Sequence, residues 1–113
     1  DNAVIAATGT RPATIRLPGG GGNAHILALF DRPVINWDVD TRDWQNHSPP
    51  TIVQISAQAH SGSIVLLHDI HATTIAAVRG VIQTLRAEGL QFVTVSELLA
   101  GRSCSPPTII AAR

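Results

Sequence analysis

The chain has 113 residues, of which 44 % are hydrophobic, and its eight basic residues, all arginine, are balanced by eight acidic ones. That length suits one globular domain, and arginines spread from Arg11 to Arg113 without runs exclude a basic surface for nucleic acid or anionic membrane. No apolar run approaches the ~20 residues that cross a bilayer, and the single cysteine, Cys104, excludes an internal disulfide.

Residues 1–7 lack the basic start and long apolar stretch of a secretory signal. The chain is thus expected to be cytoplasmic or to have had a targeting segment removed. Residues 2–8 read as a helix tail stopped by Gly9, so the chain is expected to begin in mid-element. A β-rich run at 14–17 comes next, then a helical pattern at 23–30, a second β-rich run at 34–39 and a helix at 50–59. The run at 63–67 precedes the best-marked helix, 73–88. Thr73 or Thr74 can cap its start, Val78, Ile82 and Leu85 share a face, and Gly89 follows its end. A last run at 91–95 leads into a short helix from Ser96, and residues 102–113 read as a tail carrying Cys104.

Strands and helices alternating at this spacing imply parallel strands joined by right-handed crossovers, the unit of open α/β sheets and of (β/α) barrels. Four such units make half a barrel. In parallel α/β folds chemistry gathers at the carboxyl ends of the strands. The side chains there are Arg16 with Pro18, then Asp38, Asp40 and Asp43, then His68 with Asp69. Each has a structural alternative: Arg16 as a solvated strand end, the aspartates as turn caps, Asp69 as the cap of the following helix. Their joint position on consecutive strands favours chemistry.

Three stretches then carry a resemblance. Ile15-Arg16-Leu17-Pro18, the run from Trp37 through Asp38, Asp40 and Asp43 to Trp44, and Ile64-Val65-Leu66-Leu67-His68-Asp69 are similar to the third, fourth and fifth motifs of the NodB-type polysaccharide deacetylases, carbohydrate esterase family four. They stand in family order and spacing, and the likeness continues through Phe92-Val93-Thr94-Val95-Ser96 to Leu98-Leu99. It implies the C-terminal half of a distorted (β/α) barrel, with residues 1–101 as part of the catalytic domain and 102–113 as its tail.

The resemblance also implies roles. His68 would be the general acid that protonates the departing amine, with Asp40 holding its imidazole and favouring the protonated form. Arg16 would orient the catalytic-base aspartate of the first motif. Leu66 would line the pocket for the acetyl methyl, Trp44 would wall the sugar groove, and Asp43 would join the arginine network beside it. The backbone N–H of Gly19 would donate to the developing oxyanion.

Two departures stand out. Motif three here continues into Leu17 and then Gly19-Gly20-Gly21-Gly22, so an aromatic wall is missing; the glycine run lacks the lysine of a phosphate-binding loop. The first and second motifs, which supply the family's metal ligands, have no counterpart before Arg16, where Asp1 is the one carboxylate and no histidine occurs. His68 and His71 with Asp69 form a ligand-like cluster, but their spacing across a strand-to-helix turn need not converge. No metal ligand is therefore assigned within this chain. His71 is expected at a helix start, and His25, His47 and His60 in solvent or loops.

The implied function is hydrolytic removal of acetyl groups from a polysaccharide, with N-acetylglucosamine polymers such as peptidoglycan or chitin ahead of acetylated xylan. The implied cofactor is a divalent ion, commonly zinc in the family, held by upstream ligands, where it polarises the acetyl carbonyl and activates water. The implied partners are the N-terminal half of the same domain and the acetylated glycan, with no nucleic acid and no membrane span. Such glycans lie outside the membrane, so a secreted or cell-wall-associated protein is expected. The alternatives are a glycan-binding module without turnover and, more weakly, a pure interaction domain.

Overall fold

In a computed structural model, residues 1–100 are described in full and Ile109–Ile110 by backbone. The expected boundary at 101 and Cys104 lie outside the described residues. The chain divides into two units, one built on Asp1–Asn36 and closed by the segment after Val95, the other on Trp37–Thr94.

In the first unit, helix α1 (Asn2–Thr8) ends at Gly9, whose φ of 73° is the left-handed geometry that glycine adopts without a Cβ penalty. The expected strand at 14–17 reduces to one bridge, Ile15 to Val34. Strand β1 (Val34–Ile35) lies between that bridge and β4 (Ile109–Ile110), and all pair in parallel. Part of the expected tail is therefore a strand. A 3-10 turn, Pro18–Gly20, and a short helix α2 (Ala24–Leu27), capped by the Asn23 side chain, complete the path to β1. Arg32 pins the unit's start: its guanidinium bonds the Asp1 and Asp31 carboxylates and the Pro12 carbonyl. Helix α6 (Val95–Leu99) also belongs to this unit.

In the second unit, β2 (Val39–Asp40) and β3 (Val65–Leu66) pair in parallel, Val39 opposite Val65 and Asp40 opposite Leu66. The expected single strand at 34–39 is thus broken. The Asp38 and Val39 N–H groups both point to the Ile64 carbonyl, and the Asp38 carboxylate takes Ser63 Oγ and the Ile64 N–H, a local arrangement that replaces regular pairing. Helix α3 (Asp43–Asn46) follows β2, then α4 (Pro49–Ser56) with Ser48 capping it and proline in its first turn, where a missing N–H is harmless.

Helix α5 (Ala72–Ala87) runs sixteen residues and packs on α4 around Ile52, Ala77, Val81 and Leu85. Its buried face is therefore Thr74, Ala77, Val81 and Leu85, while Val78, expected inside, is exposed. The close approach is made at Gly80, where a Cβ would stand 2.8 Å from a Val53 methyl. Gly89, at φ 79°, lets the Leu90 N–H turn back to the Leu85 carbonyl. The run at 91–95 forms no strand. Phe92 and Val93 are about half exposed, and no neighbouring edge pairs with them among the described residues.

Candidate active site

The site grows from the carboxyl end of β3. A parallel register with Asp40 opposite Leu66 fixes what lies beside what: Asp40 stands two residues short of His68, roughly 6 to 7 Å along the strand direction. Beyond Asp40 the chain turns. Arg42 takes φ 50°, left-handed for a non-glycine residue, and the next side chain, Asp43, points inward and is fully buried. The turn is fastened by Thr41 Oγ1 donating to the Leu66 carbonyl at 2.8 Å and by the Asn46 amide donating to the carbonyls of Thr41 and Arg42.

Asp43 is the hub. Its Oδ1 lies 2.7 Å from His68 Nδ1, and its Oδ2 accepts the His68 backbone N–H at 2.6 Å and Thr74 Oγ1 at 2.7 Å. Burial alone would raise its pKa; the hydrogen bonds from Thr74 and then from the His68 ring and backbone outweigh it and hold the carboxyl down at about 2. Against an ionised carboxylate Nδ1 must be the donor. That leaves Nε2 as the nitrogen able to pass a proton, on a ring that is 37 % exposed.

This corrects two expectations. The carboxylate against the imidazole is Asp43 and not Asp40, whose Oδ1 instead accepts the Arg42 N–H at 2.9 Å in a local turn. Asp43, expected as an arginine partner on the substrate side, has no exposed surface and takes hydrogen bonds from His68 and Thr74. Leu66 is buried at the end of β3. Trp44, the neighbour of Asp43, is about half exposed. Arg16 and Gly19 belong to the first unit: Arg16 directly follows the Ile15 bridge, and Gly19 sits in the 3-10 turn at φ 64°.

His71 does start α5, at the N-cap position, which displaces the expected caps Asp69, Thr73 and Thr74. Its ring stands edge-on to His68 at 6.4 Å and to His47 at 5.3 Å between centroids. His47 and His60 are exposed in loops, and His25 is exposed on α2. Thr74 is the residue that sequence reasoning missed. It was legible only as a candidate cap, and its hydroxyl is spent on Asp43 instead.

No protein-family model matches the chain. The peptidoglycan-N-acetylglucosamine deacetylase PgdA of Listeria monocytogenes is 39 % identical over 97 residues, covering 85 % of this chain and 21 % of that protein. Among solved structures, a T48 deacetylase with substrate superposes with a TM-score of 0.91 at 38 % identity, covering 97 % of this chain and 56 % of that one. A family 4 carbohydrate esterase from Streptomyces lividans, in complex with acetate, gives 0.77 at 35 % identity over 93 % of this chain and 56 % of its own. Fold and site together define a partial (β/α) barrel of the deacetylase type. Over most of its length the chain is similar to deacetylases and esterases of carbohydrate esterase family four. It spans about half the length of these solved domains and about a fifth of PgdA.

Proposed function

We propose that this chain supplies the general-acid side of a polysaccharide deacetylase acting on N-acetylglucosamine units of peptidoglycan, ahead of chitin-like glycans and acetylated xylan. The observation that carries the reading is the double hold of Asp43 on His68, which fixes the ring and leaves Nε2 as the nitrogen free to pass a proton. In the reaction, water adds to the acetyl carbonyl, the carbon–nitrogen bond breaks, acetate departs, and His68 Nε2 delivers the proton that the amine requires. Asp43 keeps the ring in register throughout. Leu66 shapes the acetyl pocket and Trp44 stacks on the sugar.

Among the described residues, no three His, Cys, Asp or Glu side chains are grouped to hold a metal ion. The described residues do not fit the divalent ion the family implies. We assign the ion, with zinc first, and the base aspartate to an upstream N-terminal half of the same domain, the partner this chain requires. No helix among the described residues is long and apolar enough to cross a membrane. A peptidoglycan substrate places the protein in the secreted or wall-associated compartment.

The test is acetate release by the full-length protein from purified peptidoglycan, chitooligosaccharide and acetylxylan, with and without His68→Gln. Release fastest from peptidoglycan and lost in the variant is expected. Peptidoglycan binding without any release would make the domain a glycan-binding module instead.

A further inference from the structure

The Asp43 carboxylate takes three hydrogen bonds, two from His68 just past β3, through its backbone N–H and ring Nδ1, and one from the first turn of α5 through the Thr74 hydroxyl. Only the Thr74 bond comes from a residue with no part in the proposed proton transfer. Thr74 is 1 % exposed, stands in the amino-terminal turn of α5, and is anchored there by its own N–H to the His71 carbonyl at 3.0 Å.

A carboxylate can rotate about its Cβ–Cγ bond, and such a terminal torsion is soft. With only the backbone N–H on Oδ2, the plane of Asp43 would be fixed at one point on that oxygen. The Thr74 hydroxyl at 2.7 Å adds a second donor to that oxygen and so sets the direction in which Oδ1 meets Nδ1. We propose that Thr74 is a positioning residue for the acid, acting through Asp43 to hold the His68 imidazole in its reactive orientation. Hydroxyl and methyl have separable duties here: the hydroxyl orients Asp43, and the methyl only fills space in the buried first turn.

The proposal rests on His68 being the general acid, and its test reads orientation independently of turnover. In the full-length protein, Thr74→Val keeps the shape and removes the donor, Thr74→Ser keeps the donor and removes the methyl, and Thr74→Ala serves should the valine variant not fold. Two quantities are measured: steady-state acetate release, and the hydrogen-bonded imidazole proton in the far-downfield proton spectrum, assigned by its absence in His68→Gln. The loss of one charge-assisted hydrogen bond predicts that kcat falls about ten- to a hundredfold in Thr74→Val, while KM stays within about twofold. The downfield resonance should broaden or vanish in the same protein, and Thr74→Ser should recover both. A valine variant with normal kcat and an unchanged resonance overturns the proposal. So does a serine variant as impaired as the valine one, which would show that packing, not the hydroxyl, matters. If no variant, wild type included, releases acetate while the resonance still follows the hydroxyl, the deacetylase reading fails and the positioning role stands.

Discussion

Asp43 grips His68 at two points, backbone N–H at 2.6 Å and ring Nδ1 at 2.7 Å, so the residue that orients the imidazole also fixes the main chain that carries it. Ring and main chain are thus held by the two oxygens of one carboxylate.

Exchanging single atoms at the two neighbouring aspartates separates their roles. Asp43→Asn turns one acceptor into a donor facing other donors, so turnover should fall roughly a hundredfold or more. Asp40→Asn keeps an oxygen for the Arg42 N–H, and its turnover should stay within about threefold. Rates against pH for the two proteins decide; a larger defect at Asp40 would contradict the geometry.

The depressed carboxyl makes an acid-stability prediction. Folded Asp43 titrates at about 2 against 3.8 for an ordinary aspartate. A lowered pKa contributes stability that is fully present above the ordinary value and is lost as pH falls through the folded one. The urea midpoint should therefore fall as the pH is lowered from 3.8 towards 2, and fall less steeply in Asp43→Asn. Asp31, also held at about 2 by Arg11 and then Arg32, adds a similar slope, so both proteins are compared in an Asp31→Asn background.

Packing between α4 and α5 gives a contrast of sign. Ser56 is fully buried, and its hydroxyl has no partner among the described residues, so Ser56→Ala removes an uncompensated polar group and should stabilise by ~1 kcal/mol. Ile52, equally buried, should lose about 2 to 5 kcal/mol on truncation to alanine. Calorimetric melting of the two variants in the full-length protein checks both.

Trp44 tests the glycan side. With 52 % of its surface exposed, it contributes little to the core, and Trp44→Ala should leave the melting temperature unchanged. Losing a stacking face should raise KM for peptidoglycan fragments about three- to tenfold. An unchanged KM would remove Trp44 from the substrate surface.

Much of this fold is legible in the amino-acid sequence. Period and stop signals mark α5, and glycines at 9 and 89 end helices where the backbone turns left-handed. His68 stands out by its place after an apolar run at a strand end. The choice between Asp40 and Asp43 was not legible, because the turn that sends Asp43 inward is made at Arg42, and a positive φ at a non-glycine leaves no mark in the sequence. Thr74 was hidden for a related reason: a threonine at a helix start reads as a local cap, and its bond to a residue 31 positions away is long-range. The run at 91–95 has strand propensity, yet propensity without a neighbouring edge makes no strand.

Helix α3 is only four residues long, is bracketed by Arg42 and His47 in left-handed geometry, and presents Asp43 inward and Trp44 outward. Each added or deleted residue would rotate the remainder of the helix by about 100° and exchange the two faces. The segment therefore has no tolerance for length variation. Outward side chains such as Trp44 and Gln45 can be exchanged one for one without moving Asp43, whereas a change of length cannot.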